Sequence, residues 1–506
     1  MASTQALEKF ALRKLRHSIN GDSKRLRKLV DSTRKMDLDV DVQNFVDSLE
    51  YSLDNDTPFS KIFLRIGNEM SRPYKQGLVS NLIYNSFIKG RQRRDELTTD
   101  GNVVPSVLVI SPTMRCNLNC TGCYSGLYQK EQELTKEELE NVLDQARDLG
   151  IYFIVISGGE PYMLKDTLVE LFEKYNDMFF LTYTNGTFFD RTLAKKLRKL
   201  GNVAPAISVE GWEKETDERR GKGIWNRVHT AMENLRREGV MFGISVTQTR
   251  YNLDTILDES FIEHFLNEGA IFGWYFMFMP VGKDPMLDLV PTPEQRVYSA
   301  ERVRDLRSKY PMFLADFWND GDAVDGCMAA GKGYAHVLST GNVEPCVFAH
   351  FGVDNVREKS LFDALNSPFF KHIRSKFPYN ENANLRRPCM IIDNPDILRE
   401  AVDEYLVPHG HEHSEDLIND PETVQWIDRY AERFKELVDP IWENIINNPN
   451  SRWYRHGYRY KRLFRFQEQP EQGDSGGNGH RQAAGDTPEA GNSRPAEKRR
   501  EKAPIG

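Results

Sequence analysis

Between Val107 and Met279 the chain alternates short apolar runs with longer amphipathic stretches, and this alternation constrains the fold more than any other feature. The apolar runs are Val107 to Ser111, Ile151 to Ser157, Phe179 to Thr184, Ala204 to Val209, Val240 to Thr247 and Ala270 to Met279. Each has the length and texture of a buried strand. Thr135 with Glu138 forms a capping box that starts one intervening helix, and Gly150 stops it. Gly201, Gly239 and Gly269 stand where later helices should end. Six consecutive strand–helix units predict an α/β fold with a parallel sheet and right-handed crossovers. A closed barrel of eight units would need more chain. In such sheets chemistry gathers at the carboxyl ends of the strands.

The loop after the first of these strands holds three cysteines, Cys116, Cys120 and Cys123, spaced C-x3-C-x2-C. Three thiolates in a compact loop suit a cubic [4Fe–4S] cluster, whose irons take soft sulfur ligands. Three ligands for four irons leave one iron open to a small molecule. A structural zinc site short of a fourth ligand is the competing reading. Zinc sites usually show paired C-x2-C or Cys/His units, and the nearest histidine downstream is His229. One unit further on, the second strand runs into Ser157-Gly158-Gly159-Glu160-Pro161. Two glycines permit close approach of backbone to a ligand, and the glutamate offers an acceptor for an ammonium group.

On these two motifs the chain resembles the radical S-adenosylmethionine (SAM) enzymes, carrying their CxxxCxxC loop as Cys116, Cys120 and Cys123 and their GGEP motif as Gly158 to Pro161. The resemblance implies a partial (β/α)6 TIM-like barrel and a cluster whose open iron chelates SAM. It also implies reductive cleavage of SAM to a 5′-deoxyadenosyl radical that takes hydrogen from an unactivated C–H bond. The residue before the third cysteine is often aromatic in the family and is Gly122 here, so ring packing on the adenine must come from elsewhere; Tyr124 is a candidate. Related enzymes hold the SAM carboxylate with a serine at the fourth strand end and an arginine twelve residues on, which correspond to Ser208 and Arg220, with Arg219 adjacent. Asn185, in Thr184-Asn185-Gly186, is expected on the adenosine side, where a simple turn is the plainer reading. Ser245 and Thr247 share one face of the fifth strand and meet either the ribose or only the barrel lumen.

A second set, Cys327, Cys346 and Cys389, includes Gly341-x4-Cys346 and resembles the start of a SPASM/twitch module, which binds auxiliary [4Fe–4S] clusters. Its central crowded cysteines are missing, so a twitch-like form with one auxiliary cluster is expected. His336 or His350 would complete it, or the site stays open. The plainer reading is three buried thiols.

The 506 residues predict more than one domain. The expected division is a helical N-terminal region over 1–104, the barrel over 105–310, the twitch-like iron–sulfur domain over 311–394, C-terminal helices with a basic-aromatic segment over 395–466, and a disordered tail over 467–506. A net charge of −8 argues against a nucleic-acid partner. No run of 18 apolar residues and no signal core appear, and six cysteines in so long a chain fit a reducing cytoplasm. His409, His411 and His413 alternate in a tract read as a solvated loop, against a metal site or a lid. The segment Arg452 to Phe466 interleaves six basic side chains with six aromatic ones. It suits packing on the barrel or docking at the inner face of an anionic membrane. The expected partners are an unknown lipid, peptide or small-molecule substrate and an electron donor such as flavodoxin or ferredoxin. A non-catalytic iron–sulfur electron carrier is the alternative function.

Overall fold

In the computed structural model the described residues are 21–33, 40–99, 101–282, 286–411 and 413–448. The basic-aromatic segment Arg452 to Phe466, residues 1–20 and the tail 467–506 lie outside them. Strands β1 (Val107–Ile110), β2 (Phe153–Ile156), β3 (Phe179–Thr184), β4 (Val203–Val209), β5 (Gly243–Gln248) and β6 (Phe272–Met277) form in the predicted order, each pairing parallel to the next. Their apolar side chains are covered by helices that behave as the caps dictate. The helix Arg191–Leu200 is representative. The Asp190 side chain accepts from Leu193 N, the helix buries Leu193, Ala194 and Leu197, and Gly201 ends it at φ +71°.

The sheet does not stop at six parallel strands. β7 (Phe313–Asp316) adds to β6, and β8 (Tyr334–Val337) adds to the opposite edge beside β1, both parallel. Two antiparallel strands, β9 (Asn342–Glu344) and β10 (Asp354–Asn355), continue outward from β8. The order is β10-β9-β8-β1-β2-β3-β4-β5-β6-β7. The region expected to begin a separate domain at 311 therefore supplies both edges of the barrel sheet. No ladder joins β7 to β8 among the described residues, but Phe317 and Tyr334 bring their rings within 6.0 Å across that gap. The barrel is curled but laterally open.

The N-terminal helices lie under the barrel. Tyr74 Oη donates to Val203 O at 2.7 Å, Asn81 Nδ2 to Met178 O at 3.0 Å, and Arg94 Nη1 to Gly150 O at 2.5 Å. These carbonyls belong to the turns that lead into successive strands, so the helices satisfy polar groups the barrel leaves open. Gly77 is required there, because a Cβ would sit 2.0 Å from Gly201 O. On the other side the helix Pro421–Asn447 packs on Pro293–Lys309, with Arg296 stacked 3.8 Å over the Phe434 ring. No helix among the described residues is long and apolar enough to cross a membrane.

Candidate active site

The cysteine loop follows β1, and the GGEP turn follows β2. The two are laced together by backbone. Gly159 N donates to Thr113 O at 3.0 Å and Glu160 N to Arg115 O at 2.8 Å. A Cβ on Gly158 would lie 2.4 Å from Thr113 O, and one on Gly159 would lie 2.3 Å from Arg115 O. The two glycines thus let GGEP press against the stem of the cysteine loop, while both still line the cavity. Ser125 completes the anchor, with its hydroxyl 3.4 Å from Cys123 Sγ and donating to Gly158 O at 3.2 Å.

Glu160 faces away from that cavity. Its carboxylate is 0% exposed and accepts from Tyr162 N at 3.0 Å, Thr184 Oγ1 at 2.8 Å and Asn185 N at 2.7 Å. Burial pushes its pKa up to about 7 against the pull of these donors. Neither Glu160 nor Pro161 is among the lining residues. The glutamate's side chain ties the motif to the end of β3, and an ammonium would have to displace those donors to reach it. Asn185 bridges the same elements. Its Nδ2 donates to Asn117 Oδ1 at 2.9 Å and lies 3.9 Å from Cys116 Sγ.

At the end of β4 a residue outside the predicted set organises the arginines. Glu210 Oε1 lies 2.7 Å from Arg220 Nε and 2.6 Å from Arg219 Nη1. Both guanidiniums line the cavity, and Arg219 also donates to Thr247 Oγ1 at 2.9 Å. Two arginines share one carboxylate, so one positive charge is left over for an anion. Ser208, Ser245 and Thr247 all face the same lumen.

Gly122 has φ +62°, and a Cβ there would meet Phe278 Cε2 at 2.4 Å. The ring that packs at this point therefore comes from Phe278, just past β6, and lines the cavity. Tyr124 also lines the cavity. Its hydroxyl meets Ser157 Oγ at 2.8 Å and its ring lies 5.4 Å from Phe348. A single sequence carries no sign that Phe278 and Gly122 compensate one another. Gly122→Phe is expected to destabilise the protein by about 1–3 kcal/mol through overpacking, and Phe278→Ala added to it to recover part of the loss. Denaturant titration of the three variants checks this.

Cys327, Cys346 and Cys389 line the same cavity as the first three cysteines. Cys346 Sγ accepts from Tyr334 Oη at 2.8 Å, and burial pushes its thiol up to about 12. The half-buried Cys120 thiol is likewise raised by desolvation. Thiols so raised need a cation to ionise them. In neither set do the three sulfurs all lie within 4.8 Å of one another; among the described residues only His372, Glu400 and Glu404 group that tightly. A tetrahedral zinc would draw its sulfurs to about 3.8 Å apart. The wider spacing fits a multi-iron cluster better than a single ion.

Neither histidine expected as a fourth ligand is free. His336 is held between Ser111 Oγ at 2.7 Å and Glu344 at 3.0 Å. His350 is held between His411 Nε2 at 2.7 Å and Val347 O at 3.1 Å. His411 is correspondingly buried and meets the Tyr128 ring edge-on, so the histidine tract is not simply a solvated loop. His409 and His413 do not join it; His409 bridges to Phe351 and His413 faces Asp416. Cys346→Ala is expected to remove about four irons from reconstituted protein, whereas His336→Gln and His350→Gln keep them. Loss of those irons in a folded histidine variant would restore that histidine as a ligand.

With this geometry in place, the comparisons with known proteins agree. Residues 110–265 match the radical SAM superfamily, and residues 327–390 match SPASM, an iron–sulfur cluster-binding domain. The chain therefore carries a radical SAM domain followed by a SPASM domain. The first domain implies a [4Fe–4S] cluster and SAM, and the second implies an auxiliary cluster. The chain is 36% identical over 155 residues to an Fe-coproporphyrin III synthase of Methanosarcina barkeri, a match covering 30% of this chain and 39% of that protein. It is 25% identical to an AdoMet-dependent heme synthase of the same organism, over 53% of this chain and 85% of the other. Among solved structures, Streptococcus suis SuiB bound to precursor peptide SuiA matches with a TM-score of 0.50 and 17% identity, covering 65% of this chain and 79% of that one. That likeness concerns the fold.

Proposed function

We propose that the protein is a radical SAM enzyme that abstracts hydrogen from an unactivated C–H bond of a substrate held in the barrel lumen. The observation that carries this reading is that all six cysteines, both GGEP glycines and both arginines line one cavity of about 500 Å³. In this reading Cys116, Cys120 and Cys123 hold the first cluster, and Cys327, Cys346 and Cys389 hold a second. Bound there, the first cluster and SAM would supply a 5′-deoxyadenosyl radical.

The chain's own residues do the positioning. Arg220, with Arg219, offers the SAM carboxylate a guanidinium. Ser208 adds a hydroxyl beside it. The backbone of Gly158 and Gly159 faces the lumen where an amino group would meet carbonyl oxygen, and Glu160 and Pro161 hold that backbone in place. Asn185 fixes the cysteine loop to β3. A cytoplasmic electron donor such as a flavodoxin or ferredoxin would reduce the cluster.

Heme synthases and a peptide-bound enzyme both occur among the similar proteins, so these comparisons leave the substrate open. A purely electron-carrying role is not favoured, because a carrier has no use for a roomy lumen between two cysteine sets. Anaerobic reconstitution, reduction and addition of SAM is expected to release 5′-deoxyadenosine. A reduced protein with full iron content that leaves SAM intact would refute the reading.

A further inference from the structure

The cavity extends well beyond the SAM end. Away from the cysteines its wall presents Val107, Phe153, Leu181, Trp274, Phe276 and Phe313. On β1, β2, β3 and β6 these are inward-facing positions, as the two-residue period of a strand requires, while all four residues of β7 line the cavity. The cavity reaches solvent beside two of its lining residues. Phe313 and Val324 both line it and are 49% and 45% exposed. This opening lies by the β7 edge, where the barrel lacks a closing ladder. The lumen therefore has an apolar arm along β1, β2, β3 and β6, flanked on the β7 side by Arg307, Asp316 and Asp320.

We propose that the apolar arm holds the hydrocarbon chain of a lipid-like substrate, entering between β7 and β8 with its reacting carbon toward the cysteine loop. This rests on the radical SAM reading of the site. Three observations favour a hydrocarbon over the other candidates. A threaded peptide brings an N–H and a C=O at every residue, and burying them unpaired costs several kcal/mol. Along β1 to β6 the strand backbones already pair with one another, so free backbone is left only at the open edge of β7, and away from the cysteines the polar side chains are few: Tyr183, Ser245 and, on the β7 side, Arg307, Asp316 and Asp320. A polycarboxylate macrocycle needs several free cations. Here Arg219 and Arg220 share Glu210, and at the rim Arg307 is paired with Asp320 at 2.5 Å. A methylene chain needs neither, and gains about 0.8 kcal/mol for each buried CH₂. The stacked rings Trp274 and Phe276, with centroids 6.1 Å apart, provide a flat wall for it.

The test is photolabelling of the full-length, cluster-loaded protein with hexadecanol bearing a mid-chain diazirine, followed by mapping of the labelled peptides. Label is expected on the peptides of β2, β6 and β7, competed by plain hexadecanol but not by a leucine-rich peptide or by coproporphyrin. Val155→Trp fills the middle of the lumen, and Val324→Arg places a charge at the exposed rim without touching the core. Each should cut labelling about tenfold, the equivalent of excluding two methylenes. Label confined to the outer surface, or unchanged in both variants, would overturn the proposal. Competition by the peptide or the porphyrin, with none by hexadecanol, would overturn it in favour of that class. Labelling needs no SAM cleavage, so its failure is distinct from a failure to form 5′-deoxyadenosine.

Discussion

Replacing Cys116, Cys120 and Cys123 together by alanine is expected to abolish 5′-deoxyadenosine formation and remove about four irons per chain, while the second cysteine set keeps its own. The fold should survive the change. Cys116 is exposed and Cys120 and Cys123 are only half-buried, so their truncation leaves little cavity. The loop is held by backbone instead, through Thr113, Arg115 and the contact of Thr121 N with Arg219 O at 3.0 Å. Iron analysis and product chromatography on the same preparation check both halves. Continued SAM cleavage in the triple variant would remove the loop from the chemistry.

Asp393→Ala should be the most damaging single change outside the two cysteine loops. Asp393 and Arg296 form an ion pair at 2.5 Å whose side chains are 0% and 1% exposed. Removing one partner leaves a buried, uncompensated guanidinium, which costs about 3–5 kcal/mol. The same carboxylate accepts from Cys389 N at 3.0 Å, and Arg296 reaches Asn319 Oδ1 at 2.9 Å. One carboxylate therefore couples the long C-terminal helix, the turn after β7 and the cysteine at 389. Urea titration should show the lost stability, and reconstitution should show partial loss of the second cluster. A variant of unchanged urea midpoint would mean that the pair is replaceable. Arg296→Met with Asp393→Leu, which removes both charges, is expected to recover much of the stability but not the support of Cys389.

The two cysteine motifs and the six strand–helix units were legible in the sequence because each is local. A strand's apolar run, a helix-ending glycine and a C-x3-C-x2-C spacing each act within a few residues, so the order of the elements and the chemistry of the first loop follow from reading along the chain. Ser208 and Arg220 are expected from the resemblance and Asn185 from its place at the end of β3, and each lines the cavity. What lay beyond reach was set by contacts across the chain. β8 joins β1 over more than two hundred residues, so the extra parallel strands of the barrel left no local mark. Phe278 fills the space at Gly122, and Glu210 couples two arginines, only because β6 and β4 bring them there. Glu160 reads along the chain as a carboxylate suited to an ammonium; its burial and its three donors from Tyr162, Thr184 and Asn185 come from the assembled barrel. Local propensity and spacing determine which elements form and which residues carry sulfur chemistry. Packing between distant segments decides which side chains face the lumen, because burial and hydrogen-bond satisfaction are properties of the assembled barrel and not of any stretch of it.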